Sequence, residues 1–90
     1  MSAPLICVAL ADDQALVRAG LRALLQQQGI EVALEAEDGA DLLQKLQAHS
    51  VDVVLSDIRM PGTDGIEALR QLRERGDTTP VLLLTTFDDS

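Results

Sequence analysis

Short apolar runs alternate with segments of helical periodicity along this chain, and no other sequence feature constrains the fold as strongly. The apolar runs cover residues 5–11, 30–36, 51–56 and 81–86. Between them, aliphatic residues recur every three or four positions over residues 13–28, 40–49 and 66–75, which is the spacing of one helix face. The predicted order is therefore β-α-β-α-β-α-β, within one domain because 90 residues are too few for two.

The strands of this pattern are too apolar for a sheet with one face in water. Residues 5–11 and 81–84 contain no charged side chain, which is typical of strands that are covered on both sides. Apolar strands joined by helices form a parallel sheet with right-handed crossovers and helices on both faces. The predicted fold class is α/β, with a doubly wound parallel sheet.

Aspartates stand before each predicted helix, at positions where this residue commonly caps the first turn. Asp13 precedes the first helix and Asp38 the second, while Asp64 with Glu67 resembles a capping box before the third. Taken alone, the pair Asp12-Asp13 is more often a helix cap than a metal site. Its meaning therefore depends on which other side chains meet it.

Polar residues also follow the predicted strands at the edge where ligands bind in sheets of this class. Asp12 and Asp13 follow the first strand, Asp57 the third, and Thr85 lies in the last run. If the first and third strands are neighbours, about 4.8 Å apart, the three carboxylates converge. Two carboxylates at about 4 Å repel by roughly 4 kcal/mol at an effective dielectric near 20. Such a group must take up a proton or hold a cation, and hard oxygen ligands with open coordination positions favour Mg²⁺.

Asp57 is the best candidate for a nucleophile among these carboxylates, because aspartyl phosphates are a known covalent intermediate. It leaves a central strand, whereas Asp12 and Asp13 border a helix start. A hydroxyl of Thr85 could donate to a phosphoryl oxygen beside a metal ion. As isolated residues, Asp57 would be an ordinary turn residue and Thr85 an ordinary strand former.

Charge and composition narrow the class of protein and its setting. Fifteen acids against seven bases give a formal charge of −8, which disfavours direct contact with a nucleic-acid backbone. The apolar runs are too short to cross a bilayer, and no secretion signal opens the chain. The one cysteine, Cys7, has no internal disulfide partner and is expected to be a small buried residue. We expect a cytoplasmic protein without membrane contact.

Three sequence blocks resemble the signatures of response-regulator receiver domains. They are Ala-Asp-Asp-Gln at 11–14, Ser-Asp-Ile-Arg-Met-Pro-Gly-Thr-Asp-Gly at 56–65 and Leu-Thr-Thr-Phe-Asp-Asp at 84–89. Together with Leu-Val-Arg-Ala-Gly-Leu at 16–21, they are most similar to regulators that carry a helix-turn-helix output domain of the LuxR/FixJ (NarL-like) type. The resemblance covers essentially the whole chain and implies a flavodoxin-like sheet of order 2-1-3-4.

The resemblance implies a role for each matching residue. Asp57 corresponds to the phosphoacceptor, and Thr85 to the switch hydroxyl that moves toward the phosphoryl group. Asp13, Asp57 and the backbone carbonyl of Arg59 correspond to the direct Mg²⁺ ligands, and Asp12 corresponds to a residue of the same site that acts largely through water. The implied partner is a sensor histidine kinase, and the implied module is a signalling switch rather than a dedicated enzyme.

Residues 1–90 are interpreted as the N-terminal part of a receiver domain, without an output domain. The family continues with a fifth strand bearing a lysine and with two more helices, whereas Lys45 lies in the second predicted helix. We therefore expect these residues to bind Mg²⁺ but to be phosphorylated poorly. We also expect self-association, as a dimer or swapped oligomer, through the unpaired fourth strand. DNA would be contacted only through a separate helix-turn-helix domain.

Two other functions fit parts of the pattern. A magnesium-dependent phosphatase of the haloacid-dehalogenase type also uses an aspartyl nucleophile, but it requires a second aspartate two places later, where this chain has Arg59. A receiver-like module that dimerises without phosphorylation is the second alternative. A response of amide shifts near Asp57 and Thr85 to Mg²⁺ and beryllofluoride would distinguish it from a phosphorylation switch.

Overall fold

The computed structural model describes residues 5–85, and it contains the predicted alternation of strands and helices. The strands are β1 (Cys7–Ala11), β2 (Glu31–Ala36), β3 (Val53–Asp57) and β4 (Val81–Leu84). The helices are α1 (Ala15–Gln27), α2 (Gly39–Ala48) and α3 (Gly65–Glu74). All strand pairs are parallel, in the order β2-β1-β3-β4. The predicted α/β class and strand order are confirmed.

β1 and β4 are shorter than predicted. β1 begins at Cys7 rather than at residue 5, and Leu5 and Ile6 are 59% and 53% exposed. Cys7 is only half-buried, and its thiol donates to a carboxylate oxygen of Glu31 at 3.3 Å, so its prediction as a buried residue was wrong. β4 ends at Leu84, and residue 86 lies outside the described residues.

One face of the sheet packs against α2 and α3 and forms the principal core. Small side chains on β1 and β2 allow the two helices to approach the sheet closely, as a packed interior requires. The buried residues of this cluster are Ala9, Ala11, Leu34, Ala36, Leu42, Leu46, Val54, Met60, Ala68 and Leu72. The helices α2 and α3 also contact each other, so this face is closed by a continuous layer.

The opposite face is covered by α1, and the cover is thin. Glu35 alternates with Leu34 and Ala36 along β2, so it points to this second face, where arginines of α1 reach it. No residue of α1 is fully buried. Leu24 has the helical spacing of an apolar face but is 61% exposed, and Ile66 at the start of α3 is 56% exposed. Helical spacing identified apolar positions without showing that other elements cover them.

The helix starts differ in how they are capped. Asp38 accepts the backbone N–H of Asp41 at 2.8 Å, and Asp64 accepts that of Glu67 at 2.8 Å, as predicted. The prediction that Asp13 caps α1 was wrong. The N-cap of α1 is Gln14, whose side chain makes no cap hydrogen bond. The helix starts later than predicted because Asp12 forms a turn with the Gln14 N–H before helical geometry begins.

Two glycines allow α2 and α3 to begin directly against neighbouring backbone. A Cβ at Gly65 would lie 2.4 Å from the Asp57 carbonyl oxygen, and one at Gly39 would lie 2.3 Å from the Thr63 carbonyl oxygen. The Gly39 N–H donates to that Thr63 oxygen at 2.9 Å. The loop between β3 and α3 is therefore held at both helix starts. Among residues 5–85, no helix combines the length and hydropathy that a bilayer span requires.

Candidate functional site

Three aspartates that leave β1 and β3 form an acidic group at the carboxyl edge of the sheet. Ala11 pairs with Ser56 in the ladder between these strands, so the next residues, Asp12 and Asp57, stand side by side. One carboxylate oxygen from each of Asp12, Asp13 and Asp57 lies within 4.8 Å of the other two. The structure thus brings together the three side chains that the sequence pattern placed at this edge.

The acidic group is buried on one side and open on the other. Asp12 and Asp57 are 2% and 3% exposed, whereas Asp13 is exposed. Burial raises the pKa of the Asp12 carboxyl above its ordinary value, and the nearby charges of Asp57 and Asp13 raise it further. Ionisation of Asp12 is thus opposed unless positive charge is supplied. A cation that approaches from the Asp13 side would provide that charge.

The backbone around Asp57 is held by its neighbours on three sides. Ser56 Oγ donates to the Asp57 carbonyl oxygen at 2.9 Å, and the Arg59 N–H donates to Asp57 Oδ1 at 3.3 Å. Gly65 at the start of α3 lies against the same carbonyl. These contacts fix the position of the Asp57 backbone at the end of a central strand.

Arg59 lies in the loop that borders the acidic group. Its exposed side chain lines a depression of 340 Å³, whose other lining residues are Asp13, Met60, Pro61 and Asp64. The backbone hydrogen bond between Arg59 and Asp57 keeps the loop beside the carboxylates. This depression is an open approach to the exposed side of the group.

Thr85 follows β4 at the same edge of the sheet. In the ladder between β3 and β4, Leu84 is opposite Asp57, and the Ile58 N–H donates to the Leu84 carbonyl oxygen at 3.0 Å. Thr85 is therefore the first residue beyond the strand position next to Asp57, and it is exposed. Lys45 belongs to α2, where its ammonium bonds Asp41 at 3.0 Å and the Glu35 carbonyl at 2.7 Å.

Arg18 is a residue near the site that the sequence analysis did not single out. Its guanidinium Nη1 donates to the Asp12 carbonyl oxygen at 2.6 Å, and its Nε donates to Glu35 at 3.1 Å. Its position one helical turn after Gln14 offered a partial signal, since such a side chain reaches back toward the start of the helix. The contact with Glu35 depends on strand pairing that local spacing does not reveal.

Comparison with known proteins identifies the family of this fold and site. A family model described as the response regulator receiver domain matches residues 8–90. The chain belongs to the response-regulator receiver family. Receiver domains are signalling modules of two-component systems, and the acidic group described above lies at the strand ends of this receiver fold.

Individual relatives agree with this assignment. The receiver is 43% identical over 84 residues to the uncharacterized transcriptional regulatory protein YxjL of Bacillus subtilis (strain 168), covering 92% of this chain and 38% of YxjL. It is 39% identical over 87 residues to the response regulator UvrY of Escherichia coli (strain K12), covering 96% of this chain and 40% of UvrY. The chain therefore spans about two fifths of the length of the curated relatives it matches.

A solved structure extends the comparison to three dimensions. A two-component response regulator of the LuxR family from Aurantimonas sp. SI85-9A1 superposes with a TM-score of 0.87 at 30% identity. The match covers 94% of this chain and 61% of that chain. The similarity to LuxR-type regulators that the sequence blocks indicated is thus confirmed.

Proposed function

We propose that this receiver accepts a phosphoryl group from a sensor histidine kinase on Asp57, with Mg²⁺ bound in the acidic group. The observation that supports this proposal is the approach of the Asp12, Asp13 and Asp57 carboxylates to within 4.8 Å of one another. A histidine kinase donates from a phosphohistidine nitrogen, so the P–N bond would break as an Asp57 oxygen forms the new P–O bond.

The donor set fits Mg²⁺. Carboxylate and carbonyl oxygens are the ligands that hard divalent cations prefer. Burial, and then the charges of Asp57 and Asp13, raise the pKa of Asp12, and a bound cation would oppose both effects. Asp12, Asp13, Asp57 and the backbone carbonyl of Arg59 would hold the ion. When bound, Mg²⁺ would supply positive charge to the phosphoryl oxygens during transfer.

The protein groups have separate roles in this proposal. Asp57 is the nucleophile, and its fixed backbone orients the attacking oxygen. Asp12 is buried and Asp13 is exposed, so the phosphoryl donor approaches from the Asp13 side. Thr85 donates its hydroxyl to a phosphoryl oxygen and shifts the equilibrium between inactive and active conformations. Arg59 stands where a dehalogenase-type phosphatase requires an aspartate, which favours a receiver over that enzyme.

The extent of the domain and its output are part of the same proposal. The 90 residues are the N-terminal part of a receiver domain, and a separate helix-turn-helix domain contacts DNA when the receiver is phosphorylated. Support comes from YxjL, which is named as a transcriptional regulatory protein and is more than twice as long as the match. A cytoplasmic location of the protein follows from this proposal, because the kinase that donates the phosphoryl group and the DNA target would have to lie on the same side of the membrane.

Amide chemical shifts test the proposal directly. The 90-residue chain is titrated first with Mg²⁺ and then with beryllofluoride, an analogue of the phosphoryl group, and compared with Asp57→Asn. We expect saturable Mg²⁺ shifts at residues 12, 13 and 57–59, and further beryllofluoride shifts that reach Thr85 in the original chain only. A solved complex of CheX and CheY from Borrelia burgdorferi, superposing at a TM-score of 0.85 and 26% identity, contains the same two additives, BeF3 and Mg²⁺. Absence of both responses in folded protein would refute the proposal.

Self-association independent of phosphorylation is the second candidate function. β4 is an outer strand of the sheet among residues 5–85, and Leu82 on it is 60% exposed. An apolar outer strand favours pairing with another chain. Light scattering over a wide concentration range should show a dimer that Leu82→Lys weakens. A monomer at the highest concentration would exclude this candidate.

A further inference from the structure

We propose that Arg18 is a positioning residue for the cation site, because it fixes the peptide plane that joins Asp12 to Asp13. This inference rests on the proposed Mg²⁺ site and assigns part of its geometry to a side chain outside the acidic group. Arg18 does not touch the cation in this proposal. It acts through the backbone of the two aspartates.

The contacts of Asp12 show how its backbone is held. The Asp12 N–H donates to the Ala36 carbonyl oxygen at 3.0 Å, and this bond fixes the residue to the end of β2. The Asp12 carbonyl oxygen accepts from Arg18 Nη1 at 2.6 Å. The carboxylate accepts from the Gln14 N–H at 2.8 Å. Arg18 thus holds the carbonyl that leads from Asp12 into Asp13.

This carbonyl lies between two residues that are proposed to hold the same ion, Asp12 largely through water and Asp13 directly. A peptide group is planar, so rotation of the plane between Asp12 and Asp13 turns both adjoining Cα positions. Such a rotation would move the two carboxylates relative to each other and to Asp57. A donor that fixes the plane therefore keeps the group in the arrangement that a small cation with strict geometry requires.

The anchor that holds Arg18 is itself fixed. Arg18 Nε contacts Glu35 Oε1 at 3.1 Å, and Glu35 lies in β2, where it pairs with Leu10 of β1. The backbone carbonyl of Glu35 accepts from Lys45 at 2.7 Å. Arg18 uses two N–H groups that point in different directions, one to a carboxylate and one to a carbonyl. The planar guanidinium reaches the two acceptors from two separate nitrogens, whereas a lysine would have to approach both with its single nitrogen.

The positioning role of Arg18 and its positive charge predict opposite changes in Mg²⁺ affinity when the side chain is replaced. Arg18 carries a positive charge close to a cation site, so loss of charge alone would strengthen Mg²⁺ binding. Loss of the carbonyl contact would weaken it, because outer contacts of a metal site contribute about 10–100-fold to affinity. A weakened affinity in Arg18→Met therefore identifies positioning rather than charge.

The experiment measures Mg²⁺ affinity of the 90-residue chain from amide shifts, for the original sequence, Arg18→Met, Arg18→Lys and Arg22→Met. Arg22→Met is the matched control, because Arg22 contacts the other oxygen of the same Glu35 carboxylate. Thermal unfolding without Mg²⁺ is measured for each variant. Titrations are made at a temperature where every compared variant is folded.

We expect Arg18→Met to weaken Mg²⁺ binding by about tenfold and to shift the apo amide signals of residues 12–14. Arg18→Lys should lose an intermediate factor, and Arg22→Met should bind as tightly as the original chain or slightly more tightly. If Arg18→Met fails to fold, the loss in Arg18→Lys decides the question.

Two negative results have different meanings. Equal or tighter binding by the folded Arg18 variants, or an equal loss in Arg22→Met, would overturn the role of Arg18 and leave the Mg²⁺ site intact. No Mg²⁺ response in the original chain would overturn the proposed function, and the role of Arg18 with it.

Discussion

The start of α1 and the starts of α2 and α3 present the same residue type at similar junctions and use it differently. Asp38 and Asp64 each accept a backbone N–H three residues later, at 2.8 Å. Asp12 and Asp13 precede α1, yet the N-cap of that helix is Gln14 and lacks a side-chain hydrogen bond. Capping satisfies donors at two helix starts, while the carboxylates at the third are directed to the acidic group.

This difference separates stability from function within one fold. Asp38 and Asp64 lower the energy of the folded state by satisfying helix donors. Burial raises the pKa of the Asp12 carboxyl, and two neighbouring carboxylates raise it further, so both effects oppose folding when Asp12 is ionised. The start of α1 thus lacks a side-chain cap and carries repulsion between carboxylates, and the same carboxylates form the proposed Mg²⁺ site.

The largest expected effect is on Mg²⁺ affinity, when the charge of one aspartate is removed either in the acidic group or at a helix cap. Asp13→Asn should weaken Mg²⁺ binding by about 100-fold or more, because a direct ligand matters at least as much as an outer contact. Asp38→Asn retains a capping oxygen and should leave the affinity unchanged. Amide-shift titrations measure both variants. Equal affinities would remove the functional side of the comparison.

A capping aspartate should show the reverse behaviour. Asp64→Ala removes the acceptor of the Glu67 N–H and a negative charge near the helix N-terminus, so the free energy of unfolding should fall by about 1–2 kcal/mol. Mg²⁺ affinity measured on the folded protein should change little. Urea unfolding gives the first quantity. A large loss of affinity with no loss of stability would contradict the assignment of Asp64 to capping.

Replacing Asp12 should stabilise the protein, whereas replacing Asp64 should destabilise it. Because the pKa of its carboxyl is raised in the folded protein, the associated stability is present at low pH and is lost as pH rises through the raised value. Asp12→Asn keeps an oxygen for the Gln14 N–H. It should therefore stabilise the Mg²⁺-free protein at neutral pH by roughly 1 kcal/mol.

The pH dependence provides the control for Asp12. Urea unfolding is measured without Mg²⁺ across the acidic pH range. The free energy of unfolding of the original chain should decline as pH rises, and the decline should be smaller in Asp12→Asn. Added Mg²⁺ should stabilise the original chain more than the variant. A less stable variant at neutral pH would show that repulsion is not significant at this junction.

The smallest expected effect comes from giving α1 the cap that it lacks. Gln14→Ser places a preferred N-cap residue at the start of α1 without adding charge, and it should stabilise the protein by roughly 0.5 kcal/mol. Mg²⁺ affinity should stay the same, since the Gln14 contact to Asp12 uses the backbone N–H. Thermal unfolding measures the change. Destabilisation would mean that the Gln14 side chain has a role of its own.

The sequence was sufficient for the sheet and for the approach of the three aspartates. Apolar runs placed Asp12 and Asp57 at strand ends, and parallel pairing then required them to meet at one edge. Local signals also predicted the caps at Asp38 and Asp64. Each of these results depends on short segments whose neighbours in space follow from the strand order.

What the sequence could not predict depends on contacts between distant segments. Leu24 and Ile66 have core-like spacing, but their exposure depends on which elements lie over them. The link from Arg18 to the site needs the position of Glu35 on β2, which is 17 residues away. The cap of α1 depended on whether Asp12 forms a turn with Gln14 or Asp13 caps the helix, and local propensity does not decide between these.

The close approach at Gly39 and Gly65 limits where the loop between β3 and α3 can change in length. Thr63 lies against Gly39, Gly65 lies against Asp57, and Met60 is buried in the core, so these positions resist displacement. The exposed tip, Pro61 and Gly62, is therefore the part of this loop where a change of length would displace the acidic group least.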